Sequence, residues 1–187
     1  MRQVTKIGAE DSLIYIVKEL FTKSEAYEML EKLLSDKSLL RHASQESGGF
    51  DTINIFGNNV AICQEIITRL EDVLTDTFGG IFLPITLPDS RTSIKIQREG
   101  ESHRLHSDSG ISTWSGDTEG EQLLFSAVVS LSDNYDGGET QFPYDDVKVR
   151  LDAGSAIIYS SVGHAHMVTE VTEGKRYTFL TFWEKIN

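Results

Sequence analysis

The sequence predicts a mainly β protein in which a jelly roll is flanked by two helices. Its first 80 residues hold two stretches whose apolar residues recur at three- and four-residue steps, the spacing of one helix face. From Ile81 onward the chain changes to short runs of β-branched and aromatic residues separated by turn signals. Eight such runs suit a two-sheet roll, and the helices would pack on one face of it.

A strand and a helix are predicted first along the chain. Residues 13–17, Leu-Ile-Tyr-Ile-Val, are rich in strand-forming side chains. In Thr22-Lys-Ser-Glu25 the threonine hydroxyl and the glutamate carboxylate can each bond to the other's backbone amide, which is a capping box at a helix start. The apolar residues that follow share one helix face and are interpreted as core: Ala26, Met29, Leu30, Leu33 and Leu34.

A second helix is predicted over residues 62–78, after a short strand at 53–56. Gly79-Gly80 ends this helix, since glycine readily adopts the left-handed conformation that closes helices. Its apolar face contains Cys63, the single cysteine, which cannot form an internal disulfide and is interpreted as a small buried hydrophobe. A chain without a disulfide fits a reducing compartment, so a cytoplasmic location is expected.

The β region contains candidate strands, turns and one long loop. Asp136-Gly137-Gly138 is a turn signal, and Glu173-Gly174 is interpreted as a hairpin turn. Strands are predicted at 93–98, 102–106, 123–131, 140–142, 147–151, 156–159, 166–171 and 176–183. The polar stretch 109–122 has no apolar periodicity and is a candidate lid.

Composition and charge narrow the possible partners. Seventeen basic and twenty-nine acidic side chains give a net charge of −12, which repels a phosphate backbone, so no nucleic-acid partner is expected. No run of 18 apolar residues occurs, so neither a membrane span nor a signal peptide is visible. One domain is expected over 1–187, with 1–90 as a buttress and 91–187 as the jelly-roll core; its oligomeric state is left open.

Three residues of the β region are candidate metal ligands. His106 and Asp108 stand two residues apart, so an extended chain directs both side chains to one face. His166 lies near the end of the β region, where an adjacent strand of a closed roll can return it to the same cavity. Two histidines and one carboxylate occupy one face of an octahedral metal and leave three positions open, as in non-heme Fe(II) oxygenases.

Three motifs in order carry a resemblance to a known family. Gly100 stands six residues before His106, and residues 131–143 read Leu-Ser-Asp-Asn-Tyr-Asp-Gly-Gly-Glu-Thr-Gln-Phe-Pro. Residues 166–177 read His-Met-Val-Thr-Glu-Val-Thr-Glu-Gly-Lys-Arg-Tyr. Over residues 93–183 the chain resembles the prolyl 4-hydroxylase type of the 2-oxoglutarate and Fe(II)-dependent dioxygenases, and the ordered combination is far more specific than any one motif.

The resemblance implies a double-stranded β-helix of the cupin-like kind that hydroxylates an unactivated C–H bond and releases succinate and CO2. It assigns Fe(II) to His106, Asp108 and His166, and the C5 carboxylate of 2-oxoglutarate to Arg176. O2 is the other cosubstrate and ascorbate an accessory reductant. A prolyl or other residue of a peptide or protein is the expected substrate, and a free amino acid or small metabolite is the alternative.

Lys175 is a rival to Arg176 on the residues alone. A two-residue hairpin turn at Glu173-Gly174 would place Lys175 on the face of His166, whereas a three-residue loop with a bulge would place Arg176 there. The resemblance favours Arg176, whose planar fork matches a carboxylate. His164 would also share the face of His166, but choosing it as the ligand loses the match to the last motif, so it is interpreted as a loop or supporting residue.

This sequence departs from the family pattern around the expected site. Gln97 stands where a tyrosine is frequent, and His103 stands where an aromatic residue is frequent. Ser130 offers no aromatic hydroxyl to the cosubstrate. The substrate can therefore differ from peptidyl proline. Two rival functions are a metal-stabilised jelly-roll binding module without catalysis, and nucleic-acid dealkylation, which conflicts with the acidity of the chain.

Overall fold

The computed structural model describes residues 2–36, 43–45, 51–54, 60–85, 92–108 and 124–186. Two antiparallel β-sheets face each other, and two helices pack against the larger sheet, so the predicted jelly roll with flanking helices is confirmed. The candidate lid at 109–122 and the second half of the strand predicted at 53–56 lie outside the described residues.

Both predicted helices are present. Helix α1 spans Lys23–Ser35 and begins with the predicted capping box, in which the Thr22 hydroxyl accepts from the Glu25 amide and the Glu25 carboxylate accepts from the Thr22 amide. Helix α2 spans Val60–Phe78 and is followed by Gly79 with φ of +63°. No helix in the described ranges combines the length and apolar composition that crossing a membrane requires.

Fourteen strands form the sheets within the described residues. In chain order they are β1 (Gln3–Ile7), β2 (Ile14–Lys18), β3 (Ala43–Gln45), β4 (Asp51–Asn54), β5 (Ile81–Pro84), β6 (Ser93–Arg98), β7 (His103–His106), β8 (Leu124–Ser130), β9 (Tyr135–Gly137), β10 (Thr140–Phe142), β11 (Val147–Val149), β12 (Ala156–Ser160), β13 (His166–Val168) and β14 (Val171–Ile186).

The larger sheet is built around β14. Its order is β1-β2-β12-β8-β14-β6-β4-β3, and β5 and β9 also pair with β14. The smaller sheet has the order β11-β10-β13-β7. Strands from both the first 90 residues and the later part of the chain share the larger sheet.

Side-chain alternation divides the larger sheet into two buried faces. On β8 and β12, residues such as Val129 and Ile158 join the core beneath both helices, whereas their neighbours Ile157 and Tyr159 join a second core between the sheets. Cys63 on α2 is fully buried in the helix-side core, and burial raises the pKa of its thiol to about 12. It is therefore the small buried hydrophobe that was predicted.

The structure corrects the turn expected at Glu173-Gly174. Both residues lie inside β14, which pairs with β9 before Gly174 and with β6 after it, through a register shift between Val171 and Glu173. Gly174 has φ of +79°, and an added Cβ would come within 2.7 Å of the carbonyl oxygen of Asn134. The chain thus crosses from the smaller to the larger sheet after Val168 and makes no hairpin there.

Four strands were not predicted. They are β1, β3, β5 and β9. Most residues of β1 are exposed, so it carries little hydrophobic signal, and β9 coincides with the glycine turn signal that ends at Gly138. β1 pairs with the next strand, β2, and β9 pairs with the distant β14, and local periodicity reveals neither pairing.

Asp133 joins helix α1 to the loop before β9. Its carboxylate accepts a hydrogen bond from the Tyr27 hydroxyl at 2.9 Å and from the Ala153 amide at 3.4 Å, and it lies 2.9 Å from the Lys23 ammonium. Burial alone would raise the pKa of Asp133, but the bonds from Lys23, Tyr27 and Ala153 lower it below its ordinary value of 3.8.

Replacing Asp133 by asparagine is expected to lower the free energy of unfolding by about 1–3 kcal/mol, because its partly buried bonds from Tyr27 and Ala153 lose a charged acceptor. Since the folded-state pKa is lowered, this contribution is present above the ordinary pKa of 3.8 and fades as the pH falls through the lower folded value. Urea unfolding at pH 7 and at about pH 3 measures both effects.

The matched control is Asp136→Asn, since Asp136 is 63% exposed and lies 3.5 Å from Arg150. Such a surface ion pair contributes at most about 1 kcal/mol. Equal losses in the two variants would contradict the special role of Asp133.

Candidate metal centre

A cavity with about 510 Å³ of empty volume lies between the inner faces of the two sheets. Gln97 and Arg176 line it from the larger sheet, and His106, Thr140 and His166 line it from the smaller sheet.

The smaller sheet brings the three predicted ligands together. His106 is the last residue of β7 and His166 the first of β13, and the two are direct cross-strand partners with ring centroids 4.3 Å apart. Asp108 follows β7 by two residues, and one ligand atom from each side chain lies within 4.8 Å of the others. Among the described residues, this is the one group of at least three such side chains close enough to hold a metal ion.

Backbone hydrogen bonds orient both imidazoles. His106 Nδ1 lies 2.9 Å from the carbonyl oxygen of Arg104, and His166 Nδ1 lies 3.2 Å from that of His164. Because a carbonyl oxygen only accepts, each Nδ1 carries a proton, and in the neutral imidazole Nε2 then keeps its lone pair. The Nε2 atoms lie 3.6 Å and 3.8 Å from the two carboxylate oxygens of Asp108. Metal-binding histidines are commonly oriented by such an anchor on the other ring nitrogen.

Two more histidines lie close to this group. His164 donates from Nδ1 to the Asp145 carboxylate at 3.1 Å and accepts from the Leu13 amide at 3.3 Å, so its ring anchors the loop before β13 and does not line the cavity. His103 lines the cavity, and its ring centroid lies 4.1 Å from that of His106. Burial, with the neighbouring histidines, lowers the pKa of His103 to about 4, so this side chain is neutral at physiological pH.

Two buried hydroxyls contact Asp108. Ser126 on β8 donates to Asp108 Oδ2 at 2.7 Å, and the Tyr159 hydroxyl on β12 donates to the same oxygen at 3.0 Å. The Tyr159 hydroxyl also lies 3.0 Å from His166 Nε2. Burial, followed by the charge of Asp108, raises the pKa of Tyr159 well above its ordinary value, so the phenol remains a donor.

Burial also lowers the pKa of His166, more strongly than the attraction of Asp108 raises it. The imidazole is therefore neutral near pH 7, and a neutral imidazole is the form that binds a metal. The donor set, two imidazoles and one carboxylate on one side of a cavity, suits a divalent transition metal with open coordination positions.

A buried guanidinium lines the same cavity. Arg176 on β14 is 5% exposed, and it donates to the side-chain oxygen of Gln97 at 2.6 Å and to the Thr140 hydroxyl at 3.4 Å. Burial lowers its pKa, and no carboxylate in the described part of the chain forms an ion pair with it. Arg176 Nε and Gln97 Nε2 are both buried donors that find no hydrogen-bond partner among the described residues. A buried cation with unsatisfied donors of this kind suits an anionic ligand.

The position of Arg176 is set by two neighbouring features. Gln97 is its direct cross-strand partner on β6, so both side chains point to the cavity. Gly138 has φ of +60°, and an added Cβ there would come within 3.0 Å of Arg176 Cδ and 3.1 Å of the Tyr135 ring. Gly138 lies between β9 and β10, and its missing side chain leaves room for Arg176. Lys175, the rival, is exposed and does not line the cavity.

The site contains residues that the sequence did not single out as functional. Ser126, Tyr159 and Thr140 belong to three strands that the sequence did predict, and alternation from a known core neighbour would have placed them on the inner face. The bonds they make depend on which strands become neighbours. Gln97 departs from the family pattern, and in the structure its side-chain oxygen accepts a hydrogen bond from Arg176.

Comparison with curated proteins finds relatives among hydroxylases. A PKHD-type hydroxylase of Hyphomonas neptunium is 34% identical over 46% of this chain, and the match spans 39% of that relative's length. A PKHD-type hydroxylase of Prochlorococcus marinus is 24% identical over 87% of this chain and 74% of its own length. The first relative is therefore matched over well under half of its length.

Comparison with solved structures identifies the fold. A Pseudomonas putida prolyl-4-hydroxylase superimposes with a TM-score of 0.68 at 14% identity, over 95% of this chain and 94% of the other. The epimerase SnoN from nogalamycin biosynthesis, described as non-heme and alpha-ketoglutarate-dependent, superimposes with a TM-score of 0.69 at 13% identity, over 93% and 77%. Residues 93–184 match the sequence model of the 2OG-Fe(II) oxygenase superfamily. Through these residues, the chain belongs to the 2OG-Fe(II) oxygenase superfamily.

Proposed function

We propose that this protein is a 2-oxoglutarate-dependent hydroxylase. The observation that carries the proposal is the content of one cavity, where three convergent metal-binding side chains share the space with a buried guanidinium that has no acidic partner among the described residues. A chelating oxo-acid with a distal carboxylate can satisfy both at once. A structural metal alone would need neither the buried cation nor an open coordination face.

Each side chain then has a distinct task. His106, Asp108 and His166 would hold Fe(II), and Arg176, supported by Gln97, would bind the distal carboxylate of 2-oxoglutarate. When bound, the metal and cosubstrate supply the reaction with O2 that hydroxylates an unactivated C–H bond and yields succinate and CO2. Apolar side chains that line the cavity, such as Val128 and Val168, would limit the access of water to the reacting groups.

We favour a prolyl or other residue of a peptide or protein as the substrate. The support is that curated relatives are named PKHD-type hydroxylases and that a Pseudomonas putida prolyl-4-hydroxylase has this fold. A free amino acid or small metabolite is the second candidate, because Gln97 and His103, the two departures from the family pattern, both line the cavity. A cytoplasmic location remains the expectation from the single cysteine.

The first test of the proposed function measures succinate formation. The metal-stripped full chain, supplied with Fe(II), ascorbate, O2 and 2-oxoglutarate, is expected to form succinate, and His166→Ala is expected to reduce succinate to background because the metal loses one of its three ligands. His164→Gln is the matched control, since that ring bonds to Asp145 outside the ligand set. Chromatography of succinate measures the rate in all three proteins.

Equal succinate from the wild type and His166→Ala would contradict the ligand assignment. If neither protein forms succinate, calorimetry with 2-oxoglutarate and Mn(II) decides between the remaining readings. Binding of both would indicate an oxygenase that requires its own substrate before turnover. Absence of 2-oxoglutarate binding would favour the alternative of a metal-stabilised binding module.

The second prediction separates the anion site from the metal site. Arg176→Leu is expected to weaken 2-oxoglutarate binding by roughly 30-fold or more, because one member of a buried, charge-assisted pair is removed. Mn(II) affinity without the cosubstrate should remain close to that of the wild type. Titration calorimetry measures both affinities on the same sample.

Lys175→Leu is the matched control, since it removes the adjacent cation from an exposed position. Loss of 2-oxoglutarate affinity in Lys175→Leu, with normal affinity in Arg176→Leu, would reverse the assignment. Gln97→Leu is expected to give a smaller loss than Arg176→Leu, because it removes a neutral partner of the guanidinium.

A further inference from the structure

The two oxygens of Asp108 have unequal surroundings. Oδ2 accepts hydrogen bonds from the Ser126 hydroxyl and the Tyr159 hydroxyl, at 2.7 Å and 3.0 Å. Oδ1 accepts from neither hydroxyl, and it lies 3.6 Å from His106 Nε2. A carboxylate oxygen that already accepts two hydrogen bonds has less electron density to give to a metal than one that accepts none.

We propose that Ser126 and Tyr159 are positioning residues that hold Asp108 so that Oδ1 alone is its metal ligand. This inference rests on the proposed function, since it concerns the same metal centre. The two hydroxyls come from neighbouring strands, β8 and β12, that belong to the sheet opposite the two histidines. The larger sheet thereby fixes the orientation of Asp108, which follows β7 of the smaller sheet.

Proton counting assigns a direction to each bond. Ionised Asp108 can only accept, so Ser126 uses its single proton toward Oδ2. The 2.9 Å contact between Ser126 and Ser161 must then be donated by Ser161. The result is a directed chain from Ser161 to Ser126 to Asp108, in which the bond to the carboxylate is strengthened by the one behind it.

Tyr159 also has a single proton and two acceptors within 3.0 Å, Asp108 Oδ2 and His166 Nε2. The Nε2 lone pair is available because the His166 proton lies on Nδ1, facing a backbone carbonyl. When Nε2 is engaged as a ligand, Asp108 becomes the single acceptor for the phenol. One proton serves one acceptor at a time, so the Tyr159 hydroxyl bonds to either Asp108 or His166 before a metal binds and to Asp108 afterwards.

The burial of these groups makes the hydroxyls difficult to replace. Ser126 is fully buried, and Tyr159 and Ser161 are each 1% exposed. Water from bulk solvent does not reach these positions, so removal of a hydroxyl leaves Oδ2 short of a donor. The carboxylate can then turn or engage the metal through both oxygens. Two-oxygen coordination would occupy a position that the cosubstrates need.

The test measures metal affinity rather than turnover. Tyr159→Phe and Ser126→Ala, made in the full chain, are each expected to weaken Mn(II) binding by about 10- to 100-fold, the usual effect of removing a group that supports a metal ligand. Tyr15→Phe is the matched control, because Tyr15 lies on the adjacent strand β2 and packs edge-on against Phe78 at 4.9 Å. Its Mn(II) affinity should equal that of the wild type.

A spectroscopic measurement separates positioning from general loss of structure. The visible absorption of the Co(II)-loaded protein reports the coordination of the metal. This spectrum should change in both variants and match the wild type in the control. The melting temperature of each protein shows whether it is folded. Should Tyr159→Phe fail to fold, Ser126→Ala alone decides the question. Mn(II) affinities within twofold of the wild type and an unchanged Co(II) spectrum would overturn the proposal.

Failure of this inference is distinguishable from failure of the proposed function. If the wild type binds Mn(II) and 2-oxoglutarate but the variants bind Mn(II) equally well, the positioning role alone is wrong. If the wild type binds neither, the proposed function and the inference fall together.

Discussion

The pairing of β7 with β13 is the constraint on which the candidate site depends. It sets His106 directly opposite His166, and a slip of one residue in that register would turn one imidazole away from the cavity. Asp108 follows the same strand and inherits its placement from this pairing. The two strands are short, so their register is reinforced by β10, whose pairing with β13 places Thr140 opposite Val168. The arrangement of the three candidate ligands is thus fixed by backbone hydrogen bonds between strands.

The larger sheet places a buried cation on the opposite wall of the cavity. Arg176 and Gln97 face each other across β14 and β6, and the guanidinium is buried without an anionic partner in the described part of the chain. A buried charge in this state is costly to the folded protein unless something compensates for it. This cost lowers the stability of the folded protein, and an anionic ligand would reduce the cost. Ligand binding and stability are therefore linked at this position. The fold therefore keeps a destabilising buried charge at the position where that charge would contribute to ligand binding.

Local signals predicted the helices and the ligand set, whereas the sheet neighbours required the structure. The capping box at Thr22 and the two-residue spacing of His106 and Asp108 are local features, and the structure contains both as expected. The hairpin at Glu173-Gly174 was wrong because a glycine with positive φ serves equally at a turn and inside a strand that another backbone approaches closely. The bonds from Ser126 and Tyr159 to Asp108 join three distant segments, and no sequence spacing encodes them.

The central position of β14 bears on how the protein acquires its structure. This strand pairs with β8, β6, β5 and β9, yet it follows all of them along the chain. During synthesis the earlier strands would leave the ribosome with open edges and no common partner, and the larger sheet can close only after residues 171–186 have emerged. Contacts of such long sequence separation slow folding. Arg176 lies on β14 itself, so the larger sheet and the candidate anion site are completed by the same strand.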